Sequence, residues 1–126
     1  MAQPARQRTF VRYWLPVLAY VGLIFVLSSQ PGLKPPFKFE MSDKVAHICE
    51  YGGLGVLLAR ALTTMPRFRS TLVAGLVAVV IGSSIGATDE LYQYTVPNRD
   101  SDVRDWMADT LGLSLAQLVY LWMKRP

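Results

Sequence analysis

The residues best suited to chemistry lie in the stretch SDKVAHICEYGGLG, residues 42–55 of the 126-residue chain. It contains the single histidine of the chain, His47, which lies four residues after Asp43 and three before Glu50. On a helix, side chains at these spacings share one face. Histidine titrates near neutral pH and serves as a general acid, a general base or a metal ligand. The alternative is a histidine that only packs and hydrogen-bonds, so the pattern indicates a polar face and leaves its chemistry open.

Two other segments carry polar side chains at helical spacing. The first follows the two glycines of GSSIG, residues 82–86, and the second follows the turn at Pro97. Their members are Asp89, Glu90 and Gln93 in the first, and Asp102, Asp105 and Asp109 in the second. Adjacent carboxylates in a half-buried site can supply a proton donor, whereas at a membrane boundary they are simply solvated. We predict four acid–base residues: His47, Glu50, Asp89 and Glu90.

The composition indicates that the elements positioning these residues are membrane helices. Apolar residues make up 52% of the chain and charged residues only 17%, against about 25% in an average soluble domain. The net charge of +4 does not indicate nucleic-acid binding, because the basic residues occur in short blocks between apolar segments. Such blocks orient a membrane protein in its bilayer.

Four segments have the length of about 20 mostly apolar residues that a membrane span requires. The two uncharged runs, residues 13–29 and 70–88, are unambiguous, and the other two segments carry their ionisable residues near their starts. The predicted spans cover residues 12–29, 43–64, 70–90 and 103–123. We therefore predict an all-α, polytopic membrane protein: one domain, residues 1–126, with four transmembrane helices in a compact bundle.

The distribution of Lys and Arg predicts the orientation of these spans. Eight such residues flank the spans on the side of the two termini and five on the opposite side. The positive-inside rule then places both termini in the cytoplasm. In this orientation the polar residues of the last three spans lie at one end, in the outer leaflet. Charges inside a membrane normally face the bundle interior or a water-filled cavity, so we expect a polar pocket there.

Two features beside this pocket have more than one interpretation. Arg99 either balances the carboxylates or binds a phosphate through paired hydrogen bonds. The serine pair at 28 and 29 can approach the pocket from the first span, although serines at the end of a span usually cap or pack. The stretch HICE has only a His-x-x-Glu spacing, without the second histidine of a zinc-protease helix. A divalent metal therefore stays open as a cofactor, and the sequence assigns none.

The combination of DKVAHICEYGGLG with DELYQYTVPNRDSDVRDWMADTLG resembles the VanZ-like family of small bacterial membrane proteins. The residues that match the family's hallmarks are Asp43, Lys44, His47, Tyr51, Leu54, Gly55, Asp89, Glu90, Gln93, Pro97, Arg99, Asp105 and Gly112. Asp109 departs from the pattern, since the family often has Asn there. The resemblance implies a bacterial cytoplasmic-membrane protein, and the family's founding member is associated with low-level teicoplanin resistance.

Three functions are compatible with these observations. The first is a binding module for an envelope lipid or a glycopeptide antibiotic, and the second is a membrane enzyme acting on a lipid headgroup. The third, a proton-coupled transporter, is weakened by the lack of ionisable residues in the cytoplasmic halves of the spans. The predicted ligand-binding residues are Asp43, Lys44, Tyr51, Gln93, Arg99, Asp102, Asp105 and Asp109. The expected partners are the bilayer and this ligand, not nucleic acid, and the oligomeric state is left open.

Overall fold

Helices account for all the regular secondary structure in residues 2–30, 42–98 and 102–124, which the computed structural model describes. This confirms the predicted all-α class. The helices are α1 (Ala2–Thr9), α2 (Leu15–Ser28), α3 (Ser42–Leu62), α4 (Thr71–Gln93) and α5 (Val103–Lys124). A π-helical turn, Phe10–Trp14, joins α1 to α2, and a short 3-10 helix, Pro66–Phe68, precedes α4.

The first apolar helix is longer than predicted because α1 and α2 are continuous through the π-helical turn. In that turn the Leu15 amide donates to the Phe10 carbonyl, five residues earlier. The wider turn lies directly before Pro16, whose missing amide removes an ordinary helical hydrogen bond. The resulting helix, Pro4–Ser28, has 25 residues.

In the part of the chain that the structure describes, three helices are long and apolar enough to cross a membrane: Pro4–Ser28, Ser42–Leu62 and Thr71–Gln93. They are compatible with a membrane protein. Helix α5 has a sufficient length of 22 residues but is not among these three. Helix α4 extends to Gln93, three residues beyond the predicted end of its span, because the polar residues near its end are buried in the bundle.

Small residues allow α3, α4 and α5 to pack closely. On α4, Gly82 and Gly86 face α5, as expected for a small-xxx-small pair. On α5, Gly112 lies against the backbone of α3: a Cβ atom added there would be 2.3 Å from the Ile48 carbonyl oxygen. This close approach brings the start of α3, with its histidine, beside the first turns of α5.

The first apolar helix contacts this group of three through side-chain hydrogen bonds and a few core residues. The Tyr20 hydroxyl donates to the Glu50 carbonyl at 2.5 Å. Val17 and Ile24 join the core that includes Leu54 and Leu113. The first helix therefore covers the side of the bundle on which Glu50 lies.

Candidate functional site

The start of α3, the end of α4 and the start of α5 meet at one end of the bundle. Hydrogen bonds and ion pairs between the three helices join their polar side chains there. We call this group the polar cluster; its members are Lys44, His47, Tyr51, Asp89, Glu90, Gln93, Asp105 and Asp109. The structure thus brings together most of the site residues predicted from the sequence.

The outermost part of the polar cluster is centred on Lys44. Its ammonium group donates to the Asp43 carboxylate at 2.7 Å and also to the Asp105 carboxylate on α5. The Asp43 side chain is 56% exposed, whereas that of Asp105 is 8% exposed. The lysine therefore connects a solvated acid to a buried one.

The middle of the polar cluster is a pair formed by His47 and Asp109. The His47 Nδ1 atom and the Asp109 Oδ1 atom are 2.7 Å apart, and the Asp109 side chain is completely buried. The His47 Nε2 atom lies 3.9 Å from Asp105 Oδ2, too far for a direct hydrogen bond. A buried carboxylate in this position fixes the orientation of the imidazole ring, as acid–base catalysis and metal binding both require.

The innermost part of the polar cluster is centred on Asp89. Its Oδ2 atom accepts hydrogen bonds from the Tyr51 hydroxyl and from the Gln93 side-chain amide, each at 3.3 Å. The Gln93 amide also donates to the Ser28 hydroxyl of α2 at 3.2 Å. Asp89 is therefore a buried acid bound across helices, and not a solvated cap at a membrane boundary.

Glu90 is buried next to Asp89, and one of its carboxylate oxygens accepts the Asp102 amide at 3.3 Å. Donor atoms of Glu90, His47 and Asp109 all lie within 4.8 Å of one another, so these three residues could hold a metal ion. Glu50 is half-buried on α3, one turn after His47.

Two of the predicted ligand-binding residues that the structure describes, Asp43 and Asp102, are not members of the polar cluster. Asp102 caps the start of α5 and pairs with Arg104 at 2.9 Å; the Arg104 amide and guanidinium lower the pKa of its carboxyl group. Its side chain thus forms a local surface contact. Arg99 lies outside the described residues.

The sequence interpretation missed two polar contacts and left a third open. Tyr20 was not singled out, although a hydroxyl in an apolar run is a signal for a buried hydrogen bond. Gln117 was also missed; it is buried on α5 and its amide donates to the Gly55 carbonyl at 3.0 Å. Of the serine pair, Ser28 reaches the polar cluster, whereas Ser29 donates to the nearby Val26 carbonyl.

The family model described as VanZ/LLP1 matches residues 7–124, nearly the whole chain. The comparisons with curated proteins and with solved structures gave no match.

Proposed function

The chain belongs to the VanZ/LLP1 family, and from this premise we propose that it binds the headgroup of a bacterial envelope lipid through its polar cluster. The protein would span the cytoplasmic membrane four times, with both termini in the cytoplasm. The polar cluster would then open to the outer leaflet. This function develops the association of the family's founding member with low-level resistance to the glycopeptide antibiotic teicoplanin.

The surface of α5 supports its role as the fourth span. Its polar residues Asp105, Asp109 and Gln117 are buried. Its exposed residues are mainly apolar: Val103, Met107, Leu111, Leu115, Leu118 and Val119. Because lipid contacts only the outward face, the buried polar residues lower the average hydropathy of α5 without placing charge in the hydrocarbon.

The proposed orientation predicts the result of fusing reporters to the C-terminus. A C-terminal green fluorescent protein should fluoresce, and a C-terminal alkaline phosphatase should be inactive, because the former folds in the cytoplasm and the latter outside it. The same pair of reporters inserted after Asn98, between α4 and α5, should give the opposite result. An active phosphatase at the C-terminus would contradict the orientation and place the polar cluster at the inner leaflet.

The observation that carries the proposed function is the burial of ionisable side chains from three helices at one end of the bundle. Charges within membrane helices are costly and normally mark a functional site. Pairs such as Lys44–Asp105 and His47–Asp109 reduce that cost and hold carboxylates at one end of the bundle, where the exposed Asp43 lies beside them. A ligand with ammonium or hydroxyl groups would complement these carboxylates.

The Asp43 side chain indicates where such a ligand would enter. It is exposed, lies at the start of α3 and shares Lys44 with the buried Asp105. A headgroup presented from the outer leaflet would meet this acid first. Lipid headgroups and the sugar and amine groups of a glycopeptide antibiotic offer the same hydrogen-bonding chemistry, and the lipid is favoured because it is already at this depth of the membrane.

Native mass spectrometry of the protein, extracted with its surrounding lipid, tests this function. The wild type should retain a defined lipid, and Asp105→Asn should weaken its binding by at least about 10-fold, which corresponds to about 1.4 kcal/mol. Gln117→Leu is the matched control, because Gln117 is also buried and polar and lies twelve residues further along α5. Equal lipid occupancy in all three proteins would contradict the proposal, and retention of added teicoplanin alone would identify the antibiotic as the ligand.

The His47–Asp109 pair favours a second candidate function, a membrane enzyme with acid–base chemistry. A histidine held by a buried carboxylate at 2.7 Å has the arrangement of a general base. Glu50, Asp89 and Glu90 would be the other candidates for proton transfer. Mass spectrometry of lipids extracted from whole cells distinguishes the two functions: only an enzyme would change the abundance of a lipid species in cells, and Glu50→Gln or His47→Gln would reverse that change.

A further inference from the structure

We propose that His47, Glu90 and Asp109 form a site for one divalent transition-metal ion between α3, α4 and α5. Each residue comes from a different helix, so the spacing of residues along the sequence does not indicate the site. Metal binding goes beyond the proposed lipid binding and is measured without any lipid ligand, so either proposal can fail without the other.

The distances between the three donor groups support this assignment. One donor atom from each residue lies within 4.8 Å of the other two. Donor atoms lie about 2.0–2.2 Å from a bound zinc ion in tetrahedral geometry, so two donors are about 3.4 Å apart. Separations of up to 4.8 Å would therefore have to close by at most about 1.4 Å, shared between two side chains, to bring all three groups onto one ion.

The second carboxylate oxygen of Asp109 supports the site independently. The Asp109 side chain is completely buried, and its Oδ2 atom has no hydrogen-bond partner in the described part of the chain. This oxygen faces α4: a Cβ atom on Gly86, one turn before Glu90, would lie 3.2 Å from it. A buried acceptor without a partner is costly, and a cation placed between α4 and α5 would satisfy it.

The donor set indicates the class of ion. One imidazole and two carboxylates suit Mn²⁺, Fe²⁺ or Zn²⁺, whereas Mg²⁺ and Ca²⁺ prefer oxygen ligands alone. The site has no thiolate, which argues against a copper(I) site. An ion of +2 charge would also offset the carboxylates of the polar cluster and would fasten three helices at one point.

Electron paramagnetic resonance of added Mn²⁺ tests the site in the purified full chain, prepared with a tag that contains no histidine. We expect saturable binding of one Mn²⁺ per chain and, in pulsed spectra, coupling to a directly bonded imidazole nitrogen. Because His47 is the only histidine, that coupling would identify it without any substitution. A lack of saturable binding, or bound Mn²⁺ without nitrogen coupling, would overturn the proposal.

Two variants and a matched control complete the test. Glu90→Gln and Asp109→Asn should each weaken Mn²⁺ binding by at least about 10-fold. Removing a residue that only hydrogen-bonds a metal ligand already lowers metal affinity by about 10-fold or more, and removing a ligand itself should cost no less. Asp43→Asn should bind as the wild type does, because Asp43 is a largely exposed acid of the same face of α3. If both variants fold and bind Mn²⁺ with the affinity of the wild type, these residues are not the metal ligands. If neither variant folds, the presence or absence of nitrogen coupling in the wild-type spectrum decides whether the metal site exists.

Discussion

Gly112→Ala is expected to lower the free energy of unfolding by about 3 kcal/mol, the upper end of the usual cost of overpacking. A Cβ atom at this position would lie 2.3 Å from the Ile48 carbonyl oxygen and 2.9 Å from the Ile48 Cα atom. Both are backbone atoms of α3, so no change of side-chain rotamer relieves the clash. The two helices must separate, and His47, which precedes Ile48, would move away from Asp109. Unfolding of the purified variant in a fixed detergent, by heat or by added sodium dodecyl sulfate, measures this loss.

Two other glycines provide graded controls for this prediction. Gly82→Ala would place its Cβ 2.3 Å from Leu113 Cδ2, the end of a flexible side chain that can change rotamer, and should cost less. Gly22→Ala meets nothing within 4 Å and should be neutral or slightly stabilising, since alanine favours helix over glycine. The explanation by helix separation is wrong if Gly112→Ala is no less stable than Gly82→Ala.

Asp105→Ala is expected to destabilise the protein by about 3 kcal/mol, the lower end for removing one partner of a buried ion pair. Its carboxylate accepts from Lys44 across the contact between α3 and α5, and both side chains are largely removed from solvent. Without Asp105, the hydrogen-bonded carboxylate that Lys44 retains among the described residues is that of the exposed Asp43. The charge of Lys44 then lies in the bundle without the buried carboxylate that neutralised it. Detergent-based unfolding of matched preparations measures the effect.

The control for this prediction is the other carboxylate bound to the same ammonium group. Asp43→Ala should cost less than about 1 kcal/mol, because ion pairs with an exposed partner contribute little. The double variant Lys44→Met, Asp105→Leu should recover part of the stability lost in Asp105→Ala, since it removes both buried charges. If Asp43→Ala is as destabilising as Asp105→Ala, burial is not the reason for the effect.

Helical periodicity and composition by themselves predicted much of this protein. The apolar runs indicated the helices. The predicted first and last residues of the helices differ from those in the structure, as at Gln93, where α4 ends three residues later than predicted. The spacing of His47 from its flanking acids, and of Asp105 from Asp109, predicted polar faces because a fixed rotation per residue determines which side chains share a face. The motifs also predicted the family, which the match over residues 7–124 confirms.

The pairing of those polar faces was decided only by the tertiary structure. Sequence spacing did not distinguish Asp102 from Asp105. In the structure Asp102 forms an ion pair with Arg104 at the surface, whereas Asp105 forms a buried ion pair with Lys44. It also left open whether Asp89 and Glu90 are solvated caps, and both are buried. Helical periodicity fixes the angular positions of side chains around one helix. The depth and rotation of one helix relative to another depend on where small residues let their backbones come close together. In this protein the contact of Gly112 with Ile48 sets that register, and through it the pairing of His47 with Asp109.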